Sequence, residues 1–181
     1  MKTTLKNKKI FIAGQNGMVG SAVLRYFKKL GMYKIITRNR KKLNLANWNK
    51  TNNFIKKTKP DIVINCAGKV GGILANFTYP KEFLFENIYI QLNLTDSCFK
   101  NKVSTYINVG ANKEYSIKQY ANMIAKLFPK KINLKFNTKY PDGTPRKLLS
   151  TSIINSMGWK PHISIKKGLK ETVEWYKKKY K

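Results

Sequence analysis

A chain of 181 residues is long enough for one compact unit with its own core and too short to require division into several. Its 42% hydrophobic content is that of a globular protein, and no apolar run approaches the roughly 20 residues that a bilayer span needs. The formal charge of +29 raises nucleic acid as a partner, but only four of the 37 basic residues are Arg and Lys recurs from Lys2 to Lys181 among Asn and Ile, so the charge reads as compositional and nucleic-acid binding is set aside.

Met1 to Lys9 is basic but leads into a strand-like run rather than a signal-peptide core, which fits a cytoplasmic protein. Lys8-Lys9-Ile10-Phe11-Ile12-Ala13-Gly14 has the character of a parallel strand buried on both faces. From Met18 to Leu30, Val19, Val23, Leu24, Phe27 and Leu30 recur at helical spacing, and Gly31 is a natural stop. Tyr33 to Thr37 reads as a second strand, Trp48 to Lys57 as a helix, and Asp61 to Ala67, introduced by Pro60, as a third strand. Tyr79 to Lys100 is a long helix begun near Pro80, with Phe83, Leu84, Asn87, Ile88, Gln91, Leu92 and Thr95 spaced along it. Thr105 to Val109 is a fourth strand.

Beyond Gly110 the rhythm loosens into a helix from Ser116 to Phe128, a strand from Ile132 to Phe136, a loop at Pro141 to Pro145, and helices near Ser150 to Met157 and Ile165 to Tyr180. The alternation implies an α/β fold with a parallel sheet and right-handed crossovers. Cys66 and Cys98 are isolated, and His162 is the one histidine, so neither a metal site nor a Ser-His-Asp triad can be assembled. His162 reads as a surface or packing residue.

Gly14-Gln15-Asn16-Gly17-Met18-Val19-Gly20 stands where the first strand gives way to the first helix. In such a G-x-x-G-x-x-G turn the first glycine permits the tight turn, the second lets backbone approach a pyrophosphate, and the third lets the helix pack closely on the strand. The helix start adds unpaired N–H groups and positive potential. At the end of the second strand a carboxylate would select the ribose 2′-hydroxyl of NAD and a cation the 2′-phosphate of NADP. Here Thr37-Arg38-Asn39-Arg40 carries half of the chain's arginines, and no acidic residue occurs before Asp61, which favours NADP.

These residues, with Leu43-Asn44-Leu45, Lys69-Val70-Gly71-Gly72-Ile73-Leu74-Ala75-Asn76, Thr78-Tyr79-Pro80 and Pro141-Asp142-Gly143-Thr144-Pro145-Arg146-Lys147-Leu148-Leu149, resemble the GDP-L-fucose synthases, extended short-chain dehydrogenase/reductases. The resemblance covers nearly the whole chain but not the family's middle. Family members are nearly twice as long. The interval between Lys102 and Asn108 lacks their Ser-Ser-Cys turn, their Tyr-x-x-x-Lys helix, a histidine that assists epimerisation, and much of the sugar-nucleotide pocket. No tyrosine of this sequence has a lysine four residues on, so no catalytic residue is assigned.

The resemblance implies a truncated Rossmann-type sheet over residues 1–110, with a small α+β remnant of the substrate domain, 111–181, packed on it. It implies NADP as cofactor, held by Gly14, Gln15, Asn16, Gly17, Met18, Val19, Gly20, Arg38, Arg40, Asn44, Leu45 and Ala67. It also implies a GDP-sugar substrate touching Asp142. Three readings stand beside one another: a family member degenerate in chemistry, a non-catalytic NADP(H)-binding or regulatory module, and a charge-driven nucleic-acid or surface-binding protein. Homo-oligomerisation and pairing with a full-length paralogue both stay open.

Overall fold

Four consecutive residues, Ile10, Phe11, Ile12 and Ala13, are withdrawn almost completely from solvent in the computed structural model, which describes residues 7–31, 34–104, 113–139, 148, 150–156, 158 and 160–180. They form strand β1 (Ile10–Ala13), flanked by β2 (Ile35–Arg38) and β3 (Ile62–Asn65) in a parallel sheet of order β2-β1-β3. Each strand lies within two residues of where its apolar run places it in the sequence. The register sets Ala13 beside Arg38 on one side and Asn65 on the other, so the carboxyl ends of all three strands finish level. The strands are also tied at their entry, where the Asp61 carboxylate accepts the Lys9 N–H at 2.7 Å and the Asp61 N–H donates to the Lys9 carbonyl at 2.8 Å. The Lys9 N–H, aided by the Lys8 ammonium, holds the Asp61 carboxyl below its ordinary pKa.

Alternate side chains of β1 serve opposite layers, as the period of two requires. Ile10 and Ile12 meet Val23, Leu24 and Phe27 of helix α1 (Met18–Lys29) and its C-cap Leu30, after which Gly31 has φ +69°. Phe11 and Ala13 join Leu43, Leu45, Ile55, Val63, Ile90, Leu94 and Cys98 on the other face, beneath α2 (Trp48–Thr58) and the helix that carries the last three. Burial pushes the Cys98 thiol up to about 11, as suits a packing residue with no reactivity. The Asn47 side chain caps α2 by accepting from the Lys50 N–H at 2.9 Å, and Lys59 ends it in the left-handed region just before Pro60.

Two features of the next segment depart from the sequence reading. A short helix α3 (Ile73–Thr78) precedes the long one, its start fixed by Asn76, whose side-chain amide donates to the Gly71 and Gly72 carbonyls. The long helix α4 (Pro80–Lys100) does begin at its proline. The residues it buries, however, are Ile90, Asn93, Leu94, Ser97 and Cys98, and the residues whose spacing marked the helix, Phe83, Leu84, Ile88 and Leu92 among them, line an open apolar groove. The helix is apolar on two sides, and the sheet takes the one that presents Ile90 and Leu94.

The chain divides into two compact units, Met1–Ile107 and Asn108–Lys181. In the second, α5 (Ile117–Ala125) opens with a capping box in which Ser116 and Gln119 bond reciprocally, α6 runs from Ser152–Ser156, and α7 from Ile165–Lys179. Within this unit the Lys177 ammonium donates to the Leu127 carbonyl at 2.9 Å and lies over the Phe128 ring. The strand expected at Ile132 to Phe136 is not formed. Its apolar alternation is real, but a strand requires a ladder, and among the described residues none pairs with this exposed segment. The fourth strand at Thr105 to Val109, the Pro141 to Pro145 loop and Asp142 lie outside the described residues. Among those described, no helix is long and apolar enough to cross a membrane.

Candidate functional site

The sheet order reverses its direction of growth at β1, and in open parallel sheets such a point leaves a crevice between the loops that leave neighbouring strands. Because the three strand ends are level, their loops converge on one cleft of about 200 Å³. Gly14, Gln15, Asn16 and Gly17 line it after β1, Arg38, Asn39, Arg40, Leu43, Asn44 and Leu45 after β2, and Cys66, Ala67 and Gly68 after β3. Nine of the expected cofactor residues are thereby brought together: Gly14, Gln15, Asn16, Gly17, Arg38, Arg40, Asn44, Leu45 and Ala67. Met18 and Val19 are not in the lining. They form the exposed first turn of α1.

The three glycines act differently. Gly14 has φ +77°, and a Cβ there would fall 2.5 Å from the Cys66 carbonyl oxygen and 2.6 Å from the Ala67 nitrogen, so β1's turn passes directly against β3's end. Gly20 is buried against the turn, where a Cβ would overlap the Gly14 carbonyl. Gly17 is exposed, lines the cleft and is the N-cap of α1 without a side-chain cap bond, so the first turn of the helix starts at the cleft's edge. At this mouth Gln15 Oε1 is buried and has no hydrogen-bond partner among the described residues.

The other walls are held from behind. The Leu45 carbonyl accepts from Asn93 Nδ2 at 2.9 Å and from the Thr51 hydroxyl at 3.3 Å, and both donors are buried. The Asn87 side chain grips Lys69 twice, accepting its N–H at 2.7 Å and donating to its carbonyl at 2.9 Å. Ala67 donates its N–H to Asn65 Oδ1 at 2.9 Å. Burial raises the pKa of the Cys66 thiol, which keeps it protonated beside the turn.

The two arginines have unlike surroundings. Arg38 donates to the neighbouring Thr37 carbonyl at 2.8 Å, its guanidinium over the Phe54 ring. Arg40 is paired at 2.7 Å with Glu86 of α4, a cleft residue that also lies 3.4 Å from the Lys69 ammonium. Sequence reading missed Glu86, Asn87 and Asn93 because their partners stand far along the chain. Rarity was the available signal for Glu86, one of eight carboxylates in a chain of charge +29. His162 is exposed, and no group of three or more His, Cys, Asp or Glu side chains that could hold a metal occurs among the described residues.

Residues 10–138 match the NAD dependent epimerase/dehydratase family. A GDP-L-fucose synthase 2 homologue of Arabidopsis thaliana aligns at 24% identity over 302 positions, taking in 94% of this chain and 92% of that protein. That span far exceeds 181 residues, so the alignment crosses a long interior stretch with no counterpart here. The GDP-L-fucose synthase of Escherichia coli K12 is 35% identical over 111 residues, 61% of this chain and 35% of that one. Among solved structures, a GDP-mannoheptose C4 reductase from Campylobacter jejuni with NADP bound superposes with a TM-score of 0.52 at 34% identity, over 54% of this chain and 31% of that chain. The chain spans about a third of the length of these two bacterial relatives.

The turn's geometry sets different tolerances at its glycines. Gly14→Ala and Gly20→Ala force backbone apart and are expected to cost about 1–3 kcal/mol or more in urea unfolding. Gly17→Ala meets only the Gly14 carbonyl oxygen, at 3.4 Å, and should cost less than about 1 kcal/mol. A Gly14→Ala variant as stable as the parent would contradict the close approach to Cys66.

Proposed function

Since the chain belongs to the NAD dependent epimerase/dehydratase family, we propose that it is a GDP-L-fucose synthase-like protein that holds NADP(H) in this cleft and does not by itself convert a GDP-sugar. The observation that carries the reading is the Gly14 to Gly20 turn, which joins a buried strand to a helix start at the sheet's switch point. The chemistry of the cleft's lining suits a dinucleotide. Gly17 leaves backbone open where a pyrophosphate would approach, Gln15 offers an unpartnered buried oxygen, and two guanidinium groups stand at the end of β2. The NADP-bound Campylobacter jejuni relative supports the same choice of cofactor.

In this reading the N–H groups of Met18 and Val19, which follow Gly17, hold the pyrophosphate, and Arg38 and Arg40 take the 2′-phosphate by charge-assisted bonds. Asn44, Leu45 and Ala67 form the walls, kept in place by Asn93, Thr51 and Asn65. NADPH, when bound, supplies a hydride for reduction of a keto carbon. The alkoxide so formed needs a proton, for which the family uses a tyrosine with a lysine one helical turn on, and this sequence has no such pair. Residues 1–110 are then the cofactor half and 111–181 what is left of the substrate half, with Asp142 the residue to meet the sugar. An intact turn without a proton donor equally favours the second reading, a non-catalytic NADP(H)-binding or regulatory module that acts with another chain.

Two outcomes are expected. In calorimetric titrations the parent binds NADP more tightly than NAD, and replacing Arg38 and Arg40 together by Ala costs on the order of 1–3 kcal/mol for NADP while sparing NAD. Equal curves for both nucleotides in the parent would refute the 2′-phosphate assignment. Given GDP-4-keto-6-deoxymannose and NADPH, the purified chain yields no GDP-L-fucose by chromatography, because general acid catalysis worth roughly a hundred- to ten-thousandfold is missing. Product formation that a Gly14→Val change abolishes would show that the missing segment is dispensable.

A further inference from the structure

Among the described residues, Glu86 is the one carboxylate that lines the cleft, and it stands against the cation nominated for the 2′-phosphate. Its side chain is only 16% exposed, and its two oxygens are divided between Arg40 Nη2 at 2.7 Å and Lys69 Nζ at 3.4 Å. Lys69 is fixed independently, its backbone gripped by Asn87 and its ammonium over the Phe83 ring. Arg40, 68% exposed, has Glu86 as its one side-chain partner among the described residues. Arg38, two residues earlier, has a carbonyl and an aromatic ring beside it and, among the described residues, no carboxylate partner.

We propose that Glu86 is a specificity-determining residue that competes with the cofactor's 2′-phosphate for Arg40 and so limits how strongly the cleft prefers NADP over NAD. The inference rests on the NADP reading and deepens it. A phosphate engaging Arg40 must either displace the carboxylate, leaving a largely buried anion with Lys69 alone, or share one guanidinium with it at short range. Both are electrostatically unfavourable in a half-buried site. The opposing benefit, an arginine already ordered by Glu86, is the smaller effect, since it concerns one exposed side chain. NAD carries no charge at that position and is indifferent to the competition.

Titration of NADP and NAD against the parent chain, Glu86→Gln, Arg40→Ala and the double variant tests this. Gln keeps the size of the side chain and removes the charge. Glu86→Gln is expected to tighten NADP about threefold to tenfold and NAD less than about twofold, raising the preference. In the Arg40→Ala background the same change should leave the preference within about twofold, which a purely structural role for Glu86 would not produce. Should Glu86→Gln fail to fold, Glu86→Asp, which withdraws the carboxylate by one methylene, is expected to shift the preference the same way by less. An unchanged or lower preference in a folded Glu86 variant overturns this proposal while the NADP reading stands. A parent chain that binds NADP no better than NAD overturns both.

Discussion

The cleft depends on one close approach, that of the Gly14 turn to the end of β3 at Cys66 and Ala67. With backbone separated by less than a side chain's width, β1 and β3 finish at the same level, and the loops that follow them face each other. A residue with a Cβ would push the turn outward and, through Gly20 packed on the Gly14 carbonyl, would carry the start of α1 with it. Positive φ at Gly14 and the absence of side chains at Gly17 and Gly20 are therefore parts of one arrangement. It sets a helix start at the edge of the crevice, and a helix N-terminus is where an anion is stabilised.

Around that frame the chain spends buried polar groups on loops rather than on its core. Asn93 and Thr51 converge on the Leu45 carbonyl, Asn87 holds both polar groups of Lys69, and Asn65 takes the Ala67 N–H. Each bond satisfies a loop group that would otherwise be costly to withdraw from water, and each fixes a wall of the cleft. The high positive charge plays little part in this. Most lysines are exposed, and at the cleft the charge arrangement is local, with Arg40 and Lys69 sharing Glu86.

Local signals made the first unit readable from sequence. The run Ile10 to Ala13, the stops at Gly31 and Pro60 and the start at Pro80 act over a few residues, so the strands and helices they bound fall where expected. The helical spacing along α4 was legible, but its buried side was not, because periodicity cannot choose between two apolar stripes and the sheet does. Ile132 to Phe136 has a strand's alternation without a neighbour to complete it, and α3 depends on Asn76 folding back to Gly71 and Gly72. Of the site, the glycine turn and both arginines could be named beforehand. Glu86 could not, since its pairing with Arg40 joins the loop after β2 to α4, which only the fold brings together.

The most direct test of the account is a crystal structure of this chain grown with NADPH. The expected density places the pyrophosphate on the N–H groups that follow Gly17, with the 2′-phosphate between Arg38 and Arg40. Nucleotide bound elsewhere on the surface, with the Gly14 to Gly20 turn empty, would contradict it.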